Sequence, residues 1–401
     1  MNREEILADV MAIQNRNIIL ELATGAGKTL CALKRIEKAL DGESNPNFKA
    51  LIVIPKLVLK KTWQDEIKKW NLDHLLERIE FSTYISLPKN YDGFWSIICF
   101  DEAHHLSERC FRSIDSSFNR YIVKHLFLSA TLSYNFKAIL FNTFPDLYLY
   151  NISLKTAIDN KILPDPVILL YPMILDNSDQ KYEYVKRQSG KKVIVTYQAR
   201  WPVIKKMAKE DLSPHILCTE QQYYNLLDDD IKFLSGKPKA QGIVKQKRIA
   251  RLKVLANFKT DKVKDILSML KDYRTITFCE SIEQTQQLGK NCIHSKNIKR
   301  LDVLEDFNNK KIKHITSCEI LSEGVNVTDC RVGIFARINA SDLQIKQKLG
   351  RVLRHQSPVV ILPYYKNTRE EQIVNENILP DFNPEKVFTI TGINEILKYL
   401  K

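Results

Sequence analysis

No apolar run in this 401-residue sequence approaches the roughly 18 residues needed to cross a bilayer, so a membrane-spanning role is not expected. The first residues, MNREEILADV, carry acids and lack the apolar stretch followed by small residues that marks a secretory signal. Paired cysteines are missing too. Cys31, Cys99, Cys110, Cys218, Cys279, Cys292, Cys318 and Cys330 are scattered, with no C-x-x-C among them, and several sit inside apolar runs such as WSIICF and TITFCE. They read as small core residues in a reducing, cytoplasmic compartment, not as zinc ligands or a disulfide framework. Acid is in short supply: 47 Asp and Glu face 61 Lys and Arg, a net charge of +14. That deficit points to a polyanionic partner, most simply nucleic acid. There is no internal repeat and no low-complexity tract. What is left, 44% hydrophobic and 27% charged, is the composition of a soluble globular protein of two or three domains.

Short apolar runs alternate with amphipathic stretches over the first 165 or so residues, the pattern of a parallel sheet flanked by helices. NIILELA, ALIVIP, WSIICF and HLFLSA are the expected strands, and KLVLKKTWQDEIKKW is an expected helix. A second series begins near residue 270 with RTITFCE, KHITSCEI, CRVGIFARI and PVVILPYY. The expected fold is therefore α/β, with two tandem doubly wound parallel-sheet domains. Residues 1–165 form the first and 266–401 the second, with 166–265 as a linker and small polar, basic insert. From Lys237 to Lys264 that insert holds about ten Lys or Arg and one acid, Asp261. It reads as a basic helix facing a phosphate backbone, or as one that packs Ile249, Leu252 and Leu255 on the second domain with its lysines in water.

Two motifs carry the chemistry. NIILELA runs directly into TGAGKT, and LCALKRIEKAL continues as a helix, which is the setting a phosphate loop requires. The backbone of Thr24, Gly25, Ala26 and Gly27 would cradle an anion, Lys28 would reach the β- and γ-phosphates, and the Thr29 hydroxyl would bind Mg²⁺. Leu22 stands where the textual pattern has its first glycine. The second motif is IICFDEAHHL, in which Asp101 and Glu102 follow a buried strand at the end where parallel sheets bind ligands. Asp101 would hold the magnesium and Glu102 would activate the attacking water. The adjacent His104 and His105 lack a second ligand cluster and do not read as a metal site.

The ordered set resembles the superfamily 2 helicases and translocases over most of the chain. ATGAGKT (23–29), VIPKLVL (53–59), STY (82–84), DEAH (101–104) and SAT (129–131) are followed by TITFCES (275–281), LSEGVNV (321–327) and QKLGRVLR (347–354). SLKTAIDNKILPDP and QKLGRVLR look most like the branch of UvsW-like helicases, XPB-like helicases and restriction-enzyme motor subunits. The resemblance implies RecA-like domains with an ATP cleft between them, a loop tolerant of Leu22, and an ATP- and Mg²⁺-dependent motor on nucleic acid. DNA is favoured over RNA. It implies that Arg351 and Arg354 act as arginine fingers and that Gln347 contacts the γ-phosphate or its water. Glu323 and Gly324 would couple ATP to the nucleic-acid strand, Ser129 and Thr131 would link the Asp101–Glu102 loop to the second domain, and Thr83 with the backbone after Pro55 would touch the tracked strand.

Three departures accompany it. The upstream glutamine that often reads adenine would fall at or before Asn2, and Gln14 is too close to the loop to replace it. Asn326 stands where many relatives have aspartate. No nuclease or methyltransferase segment is evident, PDFNPEK (380–386) reading as a turn. The chain is expected to be a monomeric motor core, with accessory subunits or a nuclease as partners; an RNA helicase or a nucleotide-gated switch subunit of the same fold is the alternative.

Overall fold

The computed structural model describes residues 1–144, 146–189, 192–197, 215–318, 327–338 and 342–400. The first lobe is built on six parallel strands: β1 (Asn17–Leu22), β2 (Lys49–Ile54), β3 (Ile79–Thr83), β4 (Trp95–Phe100), β5 (Lys124–Ser129) and β6 (Leu147–Ile152). Their order is β3-β2-β4-β5-β1-β6. Every residue of β1 and β4 is buried, which is why these strands read as unbroken apolar runs and not as alternation. Helices α1 (Arg3–Ala12), α2 (Lys28–Asp41) and α3 (Leu59–Lys69) cover one face, packing Ile6, Ile36, Trp63 and Ile67 on the sheet. Tyr91, Phe100, Phe127 and Phe144 fill the other.

The second lobe carries seven strands in the order β12-β13-β11-β14-β15-β7-β16, with parallel pairing. They are β7 (Val167–Met173), β11 (Thr275–Phe278), β12 (Cys292–Ile293), β13 (His314–Ser317), β14 (Val332–Phe335), β15 (Val359–Tyr365) and β16 (Val387–Thr389). Between β7 and β11 lies a three-stranded antiparallel sheet of β8 (Tyr182–Ser189), β9 (Lys192–Tyr197) and β10 (His215–Cys218), ordered β10-β8-β9. Helices Glu220–Ser235 and Gln241–Phe258 follow it. Strand β7 falls inside the span expected as linker and insert, yet it is an interior strand of the second sheet, paired with β15 through Val359↔Val167 to Tyr365↔Met173. Its apolar run VILLYPMIL, bounded by Pro166 and the polar DNSDQ, is the signal for a buried strand.

The basic segment is helical, as expected, and its packing is mixed. Leu255 is fully buried and Leu252 partly so, whereas Ile249 is 51% exposed and takes no part in the packing face. All eight cysteines are buried, and none is joined in a disulfide among the described residues. Among the described residues no helix is long and apolar enough to cross a membrane.

Candidate nucleotide site between the lobes

In the first sheet β5 lies between β4 and β1, so the segments after β1, β4 and β5 emerge side by side at one edge. These segments are the phosphate loop, the Asp101–Glu102 turn and the Ser129–Thr131 turn. Leu22 is the last residue of β1 and is fully buried, its backbone paired opposite Ile152. The first position of the pattern is thus a strand residue facing the core, and nothing in its backbone calls for glycine. The glycines that matter come next. Gly25 and Gly27 hold φ values of 94° and 101°, which residues with a Cβ rarely adopt. Ala26 N–H donates to the Ala23 carbonyl, closing the turn at 3.0 Å. Gly27 then starts α2, and no side chain caps that helix end, so its N–H groups and dipole are available to an anion. Thr29 lies in the first turn of α2.

Across the loop, the Lys28 ammonium lies 3.6 Å from Glu102 Oε1. Glu102 sits at φ 51°, a strained value for a residue with a side chain, and its second oxygen is 3.5 Å from His104 Nδ1. Asp101 is pinned from several sides. Trp63 Nε1 donates to its Oδ2 at 2.9 Å, Tyr84 Oη donates to its carbonyl at 2.7 Å, and its own N–H donates to the Val53 carbonyl at 2.9 Å. Burial raises the Asp101 carboxyl to about 6, and the Glu102 charge adds to the rise, while Lys28 and the Trp63 hydrogen bond oppose it.

Ser129 and Thr131 close on each other: Ser129 Oγ donates to the Thr131 carbonyl at 2.9 Å, and Thr131 N–H donates back at 3.3 Å. A carboxylate that the sequence reading missed anchors this turn. Glu21, 4% exposed on β1, accepts from Leu132 N–H at 2.7 Å, from Lys137 Nζ at 2.6 Å and from Asn151 Nδ2. A lone acid inside NIILELA is the signal that could have found it, because a buried charge needs partners. Trp63 carried a weaker signal, since a buried indole N–H needs an acceptor that the sequence does not name.

The second lobe reaches this edge through the helix Asp342–Val352. A Cβ added to Gly350 would lie 2.8 Å from Thr24 Cγ2 and 3.2 Å from the Thr24 carbonyl, so the helix rests directly on the phosphate loop. Gln347 and Arg351 are buried on that helix, and Gln347 Nε2 has no hydrogen-bond partner among the described residues. Arg354 lies just beyond the helix end with part of its side chain exposed; desolvation of its guanidinium lowers its pKa, Glu66 of α3 opposing the fall and Arg3 of α1 adding to it. Lys346 pairs with Asp381 at 3.2 Å and, with Glu21, Thr24, Thr131, Asn151 and Ser153, lines a cavity of about 90 Å³ between the lobes.

The arrangement fits a triphosphate and a divalent ion. Two positive-φ glycines and an uncapped helix end present N–H groups suited to a phosphate, a hydroxyl and a carboxylate stand at Thr29 and Asp101, and the Gln347 amide, unpartnered among the described residues, is buried. Glu323, Gly324 and Asn326 lie outside the described residues. Thr83 Oγ1 donates to Ser86 Oγ at 3.2 Å within its own turn. Asn2 is engaged in a capping box with Glu5, and Gln14 donates to the Ala12 carbonyl. His104 and His105 belong to no metal-binding cluster among the described residues.

Residues 3–134 match the family described as type III restriction enzyme, res subunit, and residues 245–356 match the helicase conserved C-terminal domain. The chain is 22% identical over 378 residues to the DNA 3'-5' translocase XPB2 of Sulfurisphaera tokodaii, covering 87% of this chain and 77% of that protein. Its fold is similar to Saccharomyces cerevisiae Dbp5 bound to RNA and ADP BeF3 (TM-score 0.61, 12% identity, 100% of this chain and 93% of that one). It is also similar to the ATP-dependent type ISP restriction-modification enzyme LlaBIII bound to DNA (TM-score 0.53, 14% identity, 99% of this chain and 32% of that one).

Proposed function

We propose that this chain, which carries the res-subunit and helicase C-terminal domains of a superfamily 2 helicase or translocase, is an ATP-driven motor on DNA that grips the backbone and not the bases. The observation that carries the reading is the seating of Gly350 on Thr24, which puts the second lobe against the phosphate loop and one turn of helix away from Gln347.

Gly25, Gly27 and the α2 N-terminus would receive the phosphates, with the Lys28 ammonium against the γ-phosphate. Thr29 and Asp101 would hold magnesium, which when bound neutralises phosphate charge. Glu102 would orient the attacking water and take its proton, its carboxylate kept in place by Lys28 and His104. Arg351 and Arg354 would steady the charge that develops as the phosphate departs, and Gln347 would offer its amide to the same group. Glu323 and Gly324 would carry the change to the nucleic-acid strand. Because the lobes meet at the loop that holds the phosphates, loss of the γ-phosphate would loosen their contact, and each cycle would shift the strand contacts of one lobe against the other.

DNA is favoured because XPB2 is named a DNA translocase and LlaBIII is DNA-bound. The fold does not choose, since Dbp5 is RNA-bound. The test is ATP hydrolysis in the presence of single-stranded, duplex and branched DNA and the matching RNAs. Stimulation by duplex or branched DNA is expected. Stimulation by RNA alone would overturn the DNA assignment, and no stimulation by any of them would overturn the motor.

A further inference from the structure

We infer that the helical hairpin of the insert, Glu220–Ser235 and Gln241–Phe258, is a second nucleic-acid contact outside the two sheet lobes. The inference rests on the motor reading and adds to it a surface that none of the helicase motifs includes.

The argument is one of charge left over. From residue 215 to 260 there are nine Lys or Arg and four Asp or Glu. Each of the four acids is answered within the fold. Asp230 pairs with Lys247 at 2.7 Å, Asp228 pairs with Arg251 and with Lys232 at 3.0 Å, and Asp229 lies 3.9 Å from Lys232. Glu220 accepts from Asp176 N–H at 3.0 Å. A fourth cation, Lys259, is paired with Glu370 of the second lobe. Five cations remain: Lys237, Lys239, Lys245, Arg248 and Lys253, all exposed.

They are not scattered. Lys245, Ile249 and Lys253 follow one another at four-residue spacing and share one face, with Arg248 beside Lys245. The row is about 12 Å long at 1.5 Å per residue. That spans about three to four phosphates of one DNA strand. Lys253 shares its surroundings with Glu283 and Lys296, whose charges oppose each other. Lys237 precedes the turn Pro238–Ala240 that joins the two helices, and Lys239 lies within it. There Phe233 is 68% exposed and the Lys237 ammonium lies 3.6 Å from its ring centre. An exposed aromatic ring among lysines suits an unpaired base or a sugar, just as the row suits a backbone. Solvation alone explains isolated lysines, but not a row on a helix that carries no acid of its own and whose other two cations, Lys247 and Arg251, are consumed in ion pairs.

The experiment compares the full chain with Lys245→Ala/Arg248→Ala/Lys253→Ala. Binding to a blunt DNA duplex is followed by fluorescence anisotropy between 50 and 200 mM salt, and ATP hydrolysis is measured without nucleic acid. If three phosphate contacts are lost, the slope of log affinity against log salt should fall by about 2.7. Hydrolysis without DNA should be unchanged, and a charge-keeping variant, Lys245→Arg/Arg248→Lys/Lys253→Arg, should restore the slope. Phe233→Ala should weaken binding of a duplex with a single-stranded overhang more than of the blunt duplex. Wild-type slope and affinity in the triple Ala variant would overturn the inference, leaving the row to an acidic protein partner. Failure of the motor reading is seen separately, as hydrolysis by wild type that no nucleic acid changes.

Discussion

Gly350 and Thr24 belong to different lobes, yet they touch so closely that the glycine has no room for a side chain: a Cβ there would stand 2.8 Å from Thr24 Cγ2. The contact joins the helix that carries Gln347 and Arg351 to the loop that precedes Lys28. The two halves of the candidate site are registered by backbone, not by long flexible side chains.

Gly350→Ala therefore displaces the helix from the loop. A misplacement of about 1 Å at a reacting centre costs about 10²-fold in rate. The expected result is a loss of that order in kcat for ATP hydrolysis, with the thermal midpoint of the protein changed by only a few degrees. Stopped turnover with normal nucleotide binding is the pattern to look for. A variant that hydrolyses ATP like wild type would show that the contact does not set the active geometry.

Asp101 gives a pH prediction. Burial lifts its carboxyl from an ordinary 3.8 to about 6. A raised carboxyl contributes stability below its ordinary value, and that contribution is lost as pH rises through about 6. The ionised form, which a magnesium ion at this carboxylate would require, accordingly dominates only above about 6. Stabilisation of the protein by Mg²⁺ with ATP, read as a shift in thermal midpoint, should shrink as pH falls through 6. Trp63→Phe removes a hydrogen bond that favours the ionised form, so the pH at which the shift halves should move upward. An identical pH midpoint in the two proteins would remove Trp63 from this role.

Much of this was legible in the sequence. Strands with both faces buried leave continuous apolar runs, so β1, β2, β4, β5, β11, β13, β14 and β15 stand where NIILELA and its counterparts predict them. The short or half-exposed strands β3, β6, β12 and β16 leave no such trace. Strand β7 was hidden by its place in the chain, because it precedes the insert and pairs with β15, almost 200 residues later. The residues of the site were legible as types, but their supports were not. Trp63, Tyr84 and Glu21 act on neighbours far along the chain, and only folding brings an indole to Asp101 or a carboxylate to Leu132. The packing of the basic helix is mixed: among the described residues Lys247 and Arg251 are used in ion pairs, while Lys245 and Arg248 are exposed.

Glu21 holds three separate elements. Glu21→Ala leaves the Leu132 N–H, the Asn151 amide and the Lys137 ammonium without their acceptor, at a cost of about 3 kcal/mol in stability. Glu21→Gln keeps an acceptor for the Leu132 N–H but sets an NH2 donor where Oε2 accepts from Lys137 and Asn151, so it should cost somewhat less than Glu21→Ala, about 2 kcal/mol. The turn Ser129–Thr131 is tied to Glu21 through Leu132, so nucleic-acid stimulation of hydrolysis should fall further than the unstimulated rate. Equal losses in both rates would mean that Glu21 supports the fold without a part in coupling. Urea unfolding and paired hydrolysis assays decide between these outcomes.

The deepest charges in the described structure are Lys259 and Glu370, both fully buried and 2.7 Å apart. Burial alone drives the ammonium's pKa down and the carboxyl's up, and each partner opposes the shift of the other. Each makes one further hydrogen bond: Lys259 Nζ donates to the Pro363 carbonyl at 3.0 Å, and Glu370 accepts from Tyr365 N–H at 3.2 Å. The pair fastens the junction between helices Gln241–Phe258 and Thr260–Met269 to the end of β15, so it sets how the insert is mounted on the second lobe. Removing one partner strands a charge in the core, and Lys259→Met or Glu370→Leu alone should cost about 3–5 kcal/mol. Removing both strands none, and the double variant should recover most of that loss. A double-mutant cycle by chemical unfolding measures the difference, and additive losses would show that the two groups do not act as a pair. If the mounting matters for the nucleic-acid contact of the insert, the double variant should also weaken duplex binding while hydrolysis without nucleic acid stays as in wild type, because stability would be regained but the anchoring bonds to Pro363 and Tyr365 would not.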